Sequence, residues 1–218
     1  MGRTTWQDIN NIPNIPLPGP RTPLPSIQQA MILTNDPSFT AWGWAVINAN
    51  NDEIVRTGCI KTDSNAKKLR IRKGDDRVRR INEIGTELLE IIHEHNVKFI
   101  VCELPHGSQN AAAAVMMGAS AAIMELISIT QEIPIDYYSE ADAKKALLGK
   151  SSASKMETMR KIDVYYLVPV TKGIGKNRKG EVVSLWNANQ STDEAIADAI
   201  QVYHCAKKNS QILKMLKR

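Results

Sequence analysis

Cysteine is scarce in this sequence, and neither a long apolar run nor a metal-binding cysteine motif is present. The three cysteines, Cys59, Cys102 and Cys205, are far apart and odd in number, which argues against a disulfide framework or a zinc knuckle. No stretch of about 18 consecutive apolar residues occurs, and the first residues are too polar and too rich in proline for a signal peptide. We therefore expect a soluble cytoplasmic protein that does not bind membranes.

Proline is abundant only at the start of the chain. Six of the ten prolines lie within residues 1–28, where they favour extended backbone and prevent helices and interior strands. This segment is predicted to be an arm, either disordered or lying across a partner subunit. The remaining residues, 29–218, include enough apolar side chains for one domain with a core built around a sheet.

Apolar periodicity in that domain alternates between strand-like and helix-like segments. The predicted order is β, β, β, α, β, α, β, α, α, which is typical of the RNase H-like fold. We therefore expect an α/β protein with a five-stranded mixed sheet flanked by helices. The predicted strands are Ala30–Thr34, Trp42–Ile47, Glu53–Lys61, Phe99–Leu104 and Ile133–Tyr138.

Five helices are predicted around this sheet, the four in that order and a fifth near the end of the chain. The first begins at Asp75 and Asp76. The long helix Ala111–Thr130 is nearly free of charge, and the last helix begins near Ser191, after a basic Gly-rich loop and a short strand. The two remaining helices run from a cap at Ser139 to Leu148 and from Ala153 to about Leu167. The apolar face of the first helix is predicted to consist of Val78, Ile81, Ile84, Leu88, Ile91 and Ile92.

The chain is moderately basic, with a formal net charge of +5 and a pI near 9.1. Basic residues form two clusters, which suit contact with a phosphate backbone, although one such cluster is as often a solvated surface. The first cluster lies between residues 67 and 80, and it also contains Arg79 and Arg80, which are not among the predicted DNA-binding residues. The predicted DNA-binding residues are Lys67, Lys68, Arg70, Arg72, Lys73 and Arg77 in the first cluster, and Lys172, Lys176, Arg178 and Lys179 in the second.

Two acidic residues lie at the ends of predicted buried strands. Asp36 ends the first apolar strand, and Glu103 ends another. A carboxylate in such surroundings is unfavourable unless it is paired, hydrogen-bonded or bound to a metal ion. Each residue alone could instead cap a nearby helix. If the two strands are neighbours, the two carboxylates converge.

A third acidic group lies on the last predicted helix. Glu194 and Asp198 are about 40° apart on its surface, whereas Asp193 and Asp198 are about 140° apart, so Glu194 and Asp198 share a face. Ser191 and Glu194 also have the spacing of a capping box, and acidic residues near a helix start interact favourably with the dipole. Capping does not explain Asp198, because it lies beyond the first turn.

Oxygen-rich clusters without His or Cys neighbours select hard cations, so Mg²⁺ or Mn²⁺ is expected rather than zinc. Two such ions about 4 Å apart would orient water for in-line attack on a phosphodiester and stabilise the leaving oxygen. Nearby lysines would stabilise the charge that develops on the phosphate. The acidic residues therefore predict a two-metal phosphodiesterase site.

Four segments between Ala30 and Lys208 occur in the order that is found in one known family. They are the turn Asn35-Asp36-Pro37-Ser38 with Gly43, the loop and Ala-rich helix after Glu103, the lysines on either side of Gly149, and Asp198-Ala199-Ile200. By these motifs the chain resembles the RuvC-type Holliday junction resolvases of the RNase H-like superfamily.

The resemblance implies a role for individual residues. Asp36 and Glu103 match the first two catalytic carboxylates of the family, and Lys144 and Lys155 match its two functional lysines. Without the glycine between them, these would be read as surface lysines on amphipathic helices. His106 occupies the place of an aromatic wedge near the junction, and a histidine can stack on a base.

The last helix departs from the family pattern. The family usually has its paired acids three residues apart, but Ala195 holds that place here. Glu194 or Asp193 must therefore substitute as the partner of Asp198. The implied catalytic residues are Asp36, Glu103, Glu194, Asp198, Lys144 and Lys155, and the candidate metal ligands are the four acids among them together with Asp193.

By this resemblance we expect an endonuclease that cuts Holliday junctions or other branched DNA. A homodimer is expected because a four-way junction presents two symmetric scissile phosphates, and the helix Ala111–Thr130 could supply the interface. Two alternatives stay open: a nuclease of the same fold for an RNA:DNA hybrid or a flap, and a non-catalytic module that binds branched DNA. The small size and the proline-rich arm would suit a viral source such as a bacteriophage, in which case the location would be the host cytoplasm.

Overall fold

A five-stranded sheet forms the centre of the domain in the computed structural model, which describes residues 30–106, 110–166, 175–176, 182–183 and 190–217. The predicted arm, residues 1–28, lies outside these ranges. A separate two-stranded pair joins β6 (Gly175–Lys176) and β7 (Val182–Val183). The strands of the main sheet are β1 (Met31–Asp36), β2 (Ala41–Asn48), β3 (Ile54–Lys61), β4 (Val97–Glu103) and β5 (Ile135–Tyr138).

Seven helices accompany the sheet within the described ranges. The predicted cap of the fourth is confirmed, because the hydroxyl oxygen of Ser139 accepts a hydrogen bond from the backbone N–H of Asp142 at 3.1 Å. The two shortest helices, the first and the last, were not predicted. The helices are α1 (Ala66–Leu69), α2 (Lys73–Glu94), α3 (Ala111–Thr130), α4 (Glu140–Leu148), α5 (Lys155–Tyr166), α6 (Gln190–Asn209) and α7 (Gln211–Leu216).

The main sheet is mixed, with the strand order β3-β2-β1-β4-β5. Strand β1 is antiparallel to β2 and parallel to β4. Strand β3 extends the antiparallel half beyond β2, and β5 extends the parallel half beyond β4. The prediction of an α/β fold with a five-stranded mixed sheet flanked by helices is therefore confirmed.

Each face of the sheet contributes to its own apolar core. On one face, Ile32 of β1 belongs to the same buried cluster as Tyr203 of α6. On the other face, Trp42 of β2 is clustered with Leu88 of α2 and Met124 of α3. Alternate residues of a strand point to opposite faces, so a single strand such as β1 feeds both cores.

Helix α2 buries two polar side chains near its start. Asp76 and Arg80 are only 3% and 7% exposed, whereas Val78, which was predicted to face the core, is 56% exposed. Arg80 donates from Nη2 to the carbonyl oxygen of Phe39 and from Nε to Thr62 Oγ1, both at 2.7 Å. The prediction for Val78 is wrong because the buried stripe of α2 continues toward its start through Arg80 and Asp76.

Helix α3 is apolar but only partly covered. Its inner face includes Ile123 and Met124, whereas Val115, Leu126 and Ile129 are 55%, 62% and 73% exposed. Among the helices that the structure describes, α3 alone has the length and apolar composition of a membrane span. The same composition is found in helices of soluble proteins that bury a large apolar face.

The backbone of α6 touches the backbone of β2 at Gly43. A Cβ atom at Gly43 would lie 1.9 Å from the carbonyl oxygen of Ala195 and 2.8 Å from the nitrogen of Ile196, which leaves no space for any side chain. Gly43 pairs with Asp36 in the antiparallel ladder of β1 and β2. The contact therefore places α6 over the end of β1 that carries Asp36.

A second attachment of α6 lies near its other end. Asp52, in the turn between β2 and β3, accepts hydrogen bonds from Tyr203 Oη and Lys207 Nζ at 2.5 Å and from Lys217 Nζ at 2.9 Å. Although burial acts to raise it, the pKa of Asp52 is lowered to about 2 by these three hydrogen bonds. The two attachments together fix the position of α6 along the sheet.

We predict that Gly43→Ala lowers the free energy of unfolding by about 1–3 kcal/mol or more, because backbone must shift to admit the methyl group. Urea unfolding followed by circular dichroism measures this change. The matched control is Gly85→Ala in α2, where an added Cβ meets no atom within 4 Å. That variant should be more stable than the wild type by up to about 1 kcal/mol. Equal stability of Gly43→Ala and the wild type would contradict the close contact.

Candidate active site

Asp36 and Glu103 end neighbouring parallel strands. The register of β1 and β4 pairs Asn35 with Cys102, so Asp36 and Glu103 are the next residues on each strand. Side chains at alternate positions share a face, and Ile32 of β1 lies on the face covered by α6. The two carboxylates therefore converge beneath α6, as expected for neighbouring strands.

Helix α6 brings Asp198 to these two carboxylates. Asp198 lies about one turn beyond Ala195, the residue that rests on Gly43. Its charge acts on both Asp36 and Glu103, which places the three carboxylates in one cluster. Asp198 therefore lies on the side of α6 that faces the strand ends.

Mutual repulsion and burial shift the pKa values of this cluster upward. Burial and the charge of Asp198 raise the pKa of Asp36 to about 7, and the cation of Lys155 opposes them. Burial and the charges of Asp36 and Asp198 raise the pKa of Glu103 to about 9. Burial raises the pKa of Asp198 to about 6, although Lys155 lowers it. A further carboxylate, Glu140, contributes to all three increases.

The two predicted lysines reach the cluster from α4 and α5. Lys144 Nζ donates a hydrogen bond to Glu140 Oε1, and its side chain is only 12% exposed. Lys155, the first residue of α5, donates to Glu194 Oε1 and is 56% exposed. Lys155 lowers the pKa of Asp198, and Lys144 acts in the same direction. Both cations therefore lie within electrostatic range of the carboxylates.

The two other acids of α6 lie around the cluster. Glu194 is bound by Lys155 at the border of the cluster, and its side chain is 21% exposed. Asp193 is partly buried. The choice between them as a metal ligand stays a prediction.

Sequence reasoning missed Glu140. It is the first residue of α4, after the cap Ser139, where an acidic side chain is ordinarily explained by the helix dipole. In the structure, its hydrogen bond from Lys144 lowers its pKa against the effect of burial. Only the packing of α4 against α6, which brings Glu140 within electrostatic range of the three carboxylates, reveals this position, so no pattern in the sequence signals it.

The donor set of the site suits a divalent cation. Glu103 Oε2 is buried and accepts no hydrogen bond from the residues that the structure describes. Clustered carboxylates with raised pKa values are the groups that a hard cation stabilises in their charged form. Asp36, Glu103 and Asp198 are therefore the core of a candidate metal site.

The predicted DNA-binding residues are only partly accounted for. Lys68, Arg70, Arg72, Lys73 and Arg77 are exposed on and beside the first turns of α1 and α2, and Arg72 pairs with Asp75 at 2.8 Å. The side chain of Lys67 and that of Lys176 in β6 are not described, and Lys172, Arg178 and Lys179 lie outside the described residues.

Two arginines of the first basic cluster do not belong to its exposed surface. Arg80 is buried against Phe39, and Arg79 binds Asp76 and Glu83 at 2.8 Å and 2.6 Å. Both are therefore structural residues at the start of α2. Arg80 attaches the start of α2 to the loop that follows Asp36, and Arg79 attaches it to the carbonyl oxygen of Asp63.

The raised pKa values predict that stability falls with pH when divalent cations are absent. Between about pH 5 and pH 9, the folded protein holds protons on Asp36, Asp198 and Glu103 that the unfolded chain has released, so the slope of stability against pH is negative. Asp36→Asn removes one of these groups. At pH 8 in EDTA, this variant should be more stable than the wild type by on the order of 2 kcal/mol.

Urea unfolding at pH 5, 7 and 9 tests this dependence. Asp63→Asn, the same chemical change at an exposed residue, is the control and should follow the wild-type curve within about 0.5 kcal/mol. A wild-type curve that rises through this range, or an Asp36→Asn curve with an unchanged slope, would contradict the buried acidic cluster.

Comparison with known proteins agrees with this geometry. The family model described as "Crossover junction endodeoxyribonuclease RuvC" matches residues 32–174. The crossover junction endodeoxyribonuclease RuvC of Photorhabdus laumondii is 26% identical over 178 residues, which cover 81% of this chain and 87% of that protein. The family match ends before α6, so the placement of Asp198 rests on the structure.

Solved structures share the fold. The Thermus thermophilus RuvC in complex with Holliday junction substrate has a TM-score of 0.57 at 17% identity, covering 82% of this chain and 96% of that one. The yeast mitochondrial Holliday junction resolvase Ydc2 has a TM-score of 0.53 at 11% identity, covering 86% and 82%. These relatives give no support to the expected viral source, and that source and the cytoplasmic location stay predictions.

The matched family covers more than half of the chain and includes β1 and β4, the strands that carry Asp36 and Glu103. The mixed sheet with the order β3-β2-β1-β4-β5 and the similarity to the solved RuvC structure confirm the RNase H-like fold. Nucleases of this family are metal-dependent, in agreement with the carboxylate cluster. The chain therefore belongs to the RuvC family of crossover junction endodeoxyribonucleases.

Proposed function

We propose that this chain cuts four-way DNA junctions by metal-assisted hydrolysis at Asp36, Glu103 and Asp198. The observation that carries the proposal is the convergence of these three carboxylates from β1, β4 and α6 in a member of an endonuclease family. A module that only binds DNA would gain nothing from a buried acidic cluster, because such a cluster repels phosphate.

The carboxylates would hold two Mg²⁺ or Mn²⁺ ions. When bound, such ions polarise the scissile phosphate and lower the pKa of the attacking water. The ladder of β1 and β4 fixes the backbone of Asp36 and Glu103, and the contact with Gly43 fixes that of Asp198. This rigid placement keeps the ligand oxygens in position before substrate arrives.

The lysines would act on the charge of the reacting phosphate. Lys144 and Lys155 lie within electrostatic range of the acidic cluster, so a phosphate bound there would lie near both cations. Stabilisation of developing negative charge is the role that such cations serve in phosphoryl transfer. Lys155, whose exposed side chain binds Glu194 in the free protein, can exchange this partner for a phosphate oxygen.

The DNA backbone would reach the site along the exposed basic residues of α1 and α2. The buried Arg80 attaches the start of α2 to the carbonyl oxygen of Phe39, three residues after Asp36. Lys73 and Arg77, the residues that would contact phosphate, therefore belong to a helix that is attached to the loop after Asp36. The predicted stacking of His106 on a base stays a prediction.

Asp36→Asn and Glu103→Gln should each abolish cleavage of a synthetic four-way junction in Mg²⁺. Each change removes a metal ligand without changing shape and relieves the repulsion of phosphate, so affinity for the junction should be unchanged or higher. Gel assays of a labelled junction measure cleavage, and fluorescence anisotropy measures binding.

The same assay in EDTA, and with a linear duplex, a flap and an RNA:DNA hybrid, gives the controls. Preferential cleavage of the hybrid or the flap would assign the site to another substrate, and cleavage that survives either substitution would remove these residues from the site.

Lys144→Met and Lys155→Met should lower turnover more than affinity if both lysines act on the transition state. Unchanged turnover at saturating protein would make them surface lysines.

The partner of Asp198 on α6 is proposed to be Glu194. These residues are one turn apart on the same face, and Glu194 lies beside Lys155 at the site. Glu194→Gln and Asp198→Asn should both impair Mg²⁺-dependent cleavage. Asp193→Asn should retain activity and change the free energy of unfolding by at most about 1 kcal/mol through the helix dipole. Inactive Asp193→Asn with active Glu194→Gln would make Asp193 the ligand.

We also propose that the chain acts as a homodimer through α3. The exposed face of α3 includes the apolar residues Leu126 and Ile129. The Thermus thermophilus relative of this family has been solved with a Holliday junction. A four-way junction is approximately two-fold symmetric, which suits a two-fold dimer with two sites. The exposed apolar side chains would then be buried between the two copies.

Light scattering tests this interface. The wild type should have about twice the mass of one chain at micromolar concentration, and Leu126→Asp combined with Ile129→Asp should be monomeric, because a desolvated charge opposes association. Leu69→Asp, an exposed apolar residue of α1, is the control and should remain dimeric. A monomeric wild type, with or without junction DNA, would contradict the proposal.

A further inference from the structure

Three side chains from different parts of the fold approach each other at the border of the acidic cluster, to which one of them, Glu103, belongs. They are Glu103 at the end of β4, His106 three residues later, and Glu140 at the start of α4. One ligand atom of each lies within 4.8 Å of the corresponding atoms of the other two. The group combines two carboxylates with an imidazole, which the motifs in the sequence did not predict.

The distances within this group fit ligands of a common ion better than direct hydrogen bonds. His106 Nε2 lies 3.9 Å from Glu140 Oε2, which is too far for a hydrogen bond. Two ligands that each lie about 2.1 Å from one ion are roughly 3–4 Å apart. Glu103 Oε2 adds an independent indication, because it is buried and accepts no hydrogen bond from the described residues.

The surrounding structure holds Glu140 in the orientation that this site needs. Lys144 Nζ donates to Oε1 of Glu140, and Oε2 is the oxygen that faces His106. Ser139 caps α4 and so fixes the backbone at Glu140. One carboxylate oxygen therefore has a protein partner, whereas the other is directed toward His106.

We propose that Glu103, His106 and Glu140 form a divalent cation site with one imidazole ligand. The proposal rests on the proposed function, because Glu103 is shared with the metal-binding carboxylates of that site. An imidazole nitrogen raises the affinity for first-row transition ions relative to Mg²⁺, and the two carboxylates suit Mn²⁺ among these ions, so Mn²⁺ is the probe for this site. His106 then serves as a metal ligand, and ion binding ties the loop after β4 to α4.

Pulsed electron paramagnetic resonance of the Mn²⁺-loaded protein tests the imidazole ligand directly. The wild type should show the coupling of a histidine nitrogen to the bound Mn²⁺, and His106→Gln should lose it. The matched control is His93→Gln, which changes an exposed histidine that interacts with Gln131 at 2.8 Å, and this variant should retain the coupling. Absence of the coupling in the wild type, or its survival in His106→Gln, would overturn the proposal.

Titration calorimetry with MnCl₂ and MgCl₂ tests the contribution of Glu140. Glu140→Gln keeps the shape of the side chain and should weaken Mn²⁺ binding at this site by about tenfold or more, with a smaller effect on Mg²⁺. Glu132→Gln, an exposed acid after α3, should leave both affinities unchanged. Equal Mn²⁺ affinity of Glu140→Gln and the wild type would remove Glu140 from the site.

These measurements do not depend on cleavage, so the two proposals can fail separately. Metal-dependent junction cleavage without nitrogen coupling would contradict the imidazole site and leave the nuclease proposal standing. Nitrogen coupling in a protein that cuts no junction, with any of the metals tested, would contradict the nuclease proposal and retain the cation site.

Discussion

At Gly43 the backbone of β2 lies against the backbone of α6, and the position of the acidic cluster depends on this contact. Strands β1 and β4 bring Asp36 and Glu103 together by hydrogen bonding alone, but Asp198 belongs to a different layer. A side chain at Gly43 would force the helix away from the sheet by about an ångström or more, which is well above the tolerance of about 0.2 Å on a metal-ligand distance. The absence of a side chain at Gly43 thus sets the distance between the sheet, which carries Asp36 and Glu103, and α6, which carries Asp198.

The cluster is held against its own electrostatic repulsion. Burial and neighbouring charges raise the pKa values of Asp36, Glu103 and Asp198, so the folded metal-free protein is less stable than one with neutral groups in their place. Two lysines offset part of this repulsion. The apolar layers on both sides of the sheet supply the rest of the stability, which is the usual relation between a strained functional site and its scaffold.

Local patterns in the sequence were sufficient to predict the strands, the long helices and the acidic residues at the ends of β1 and β4. Periodicity and burial act within a few neighbouring residues, so a local pattern can reveal them. They were insufficient where contacts join distant segments. Arg80 looked like one more surface cation, and Val78 looked like a core residue, because only the packing of the loop at Phe39 against α2 decides which of them is buried. Glu140 was missed for the same reason, since an acid at a helix start has a sufficient local explanation.

The order of the elements along the chain also has a consequence for synthesis. All five strands of the main sheet are made before α6, yet one face of the sheet is covered by that helix, through residues such as Tyr203. A nascent chain that has not reached residue 190 presents an uncovered apolar face and lacks Asp198. Such a chain needs protection from aggregation, and its acidic cluster is incomplete. The complete acidic cluster and the burial of this core therefore arise together, with the folding of the same late helix.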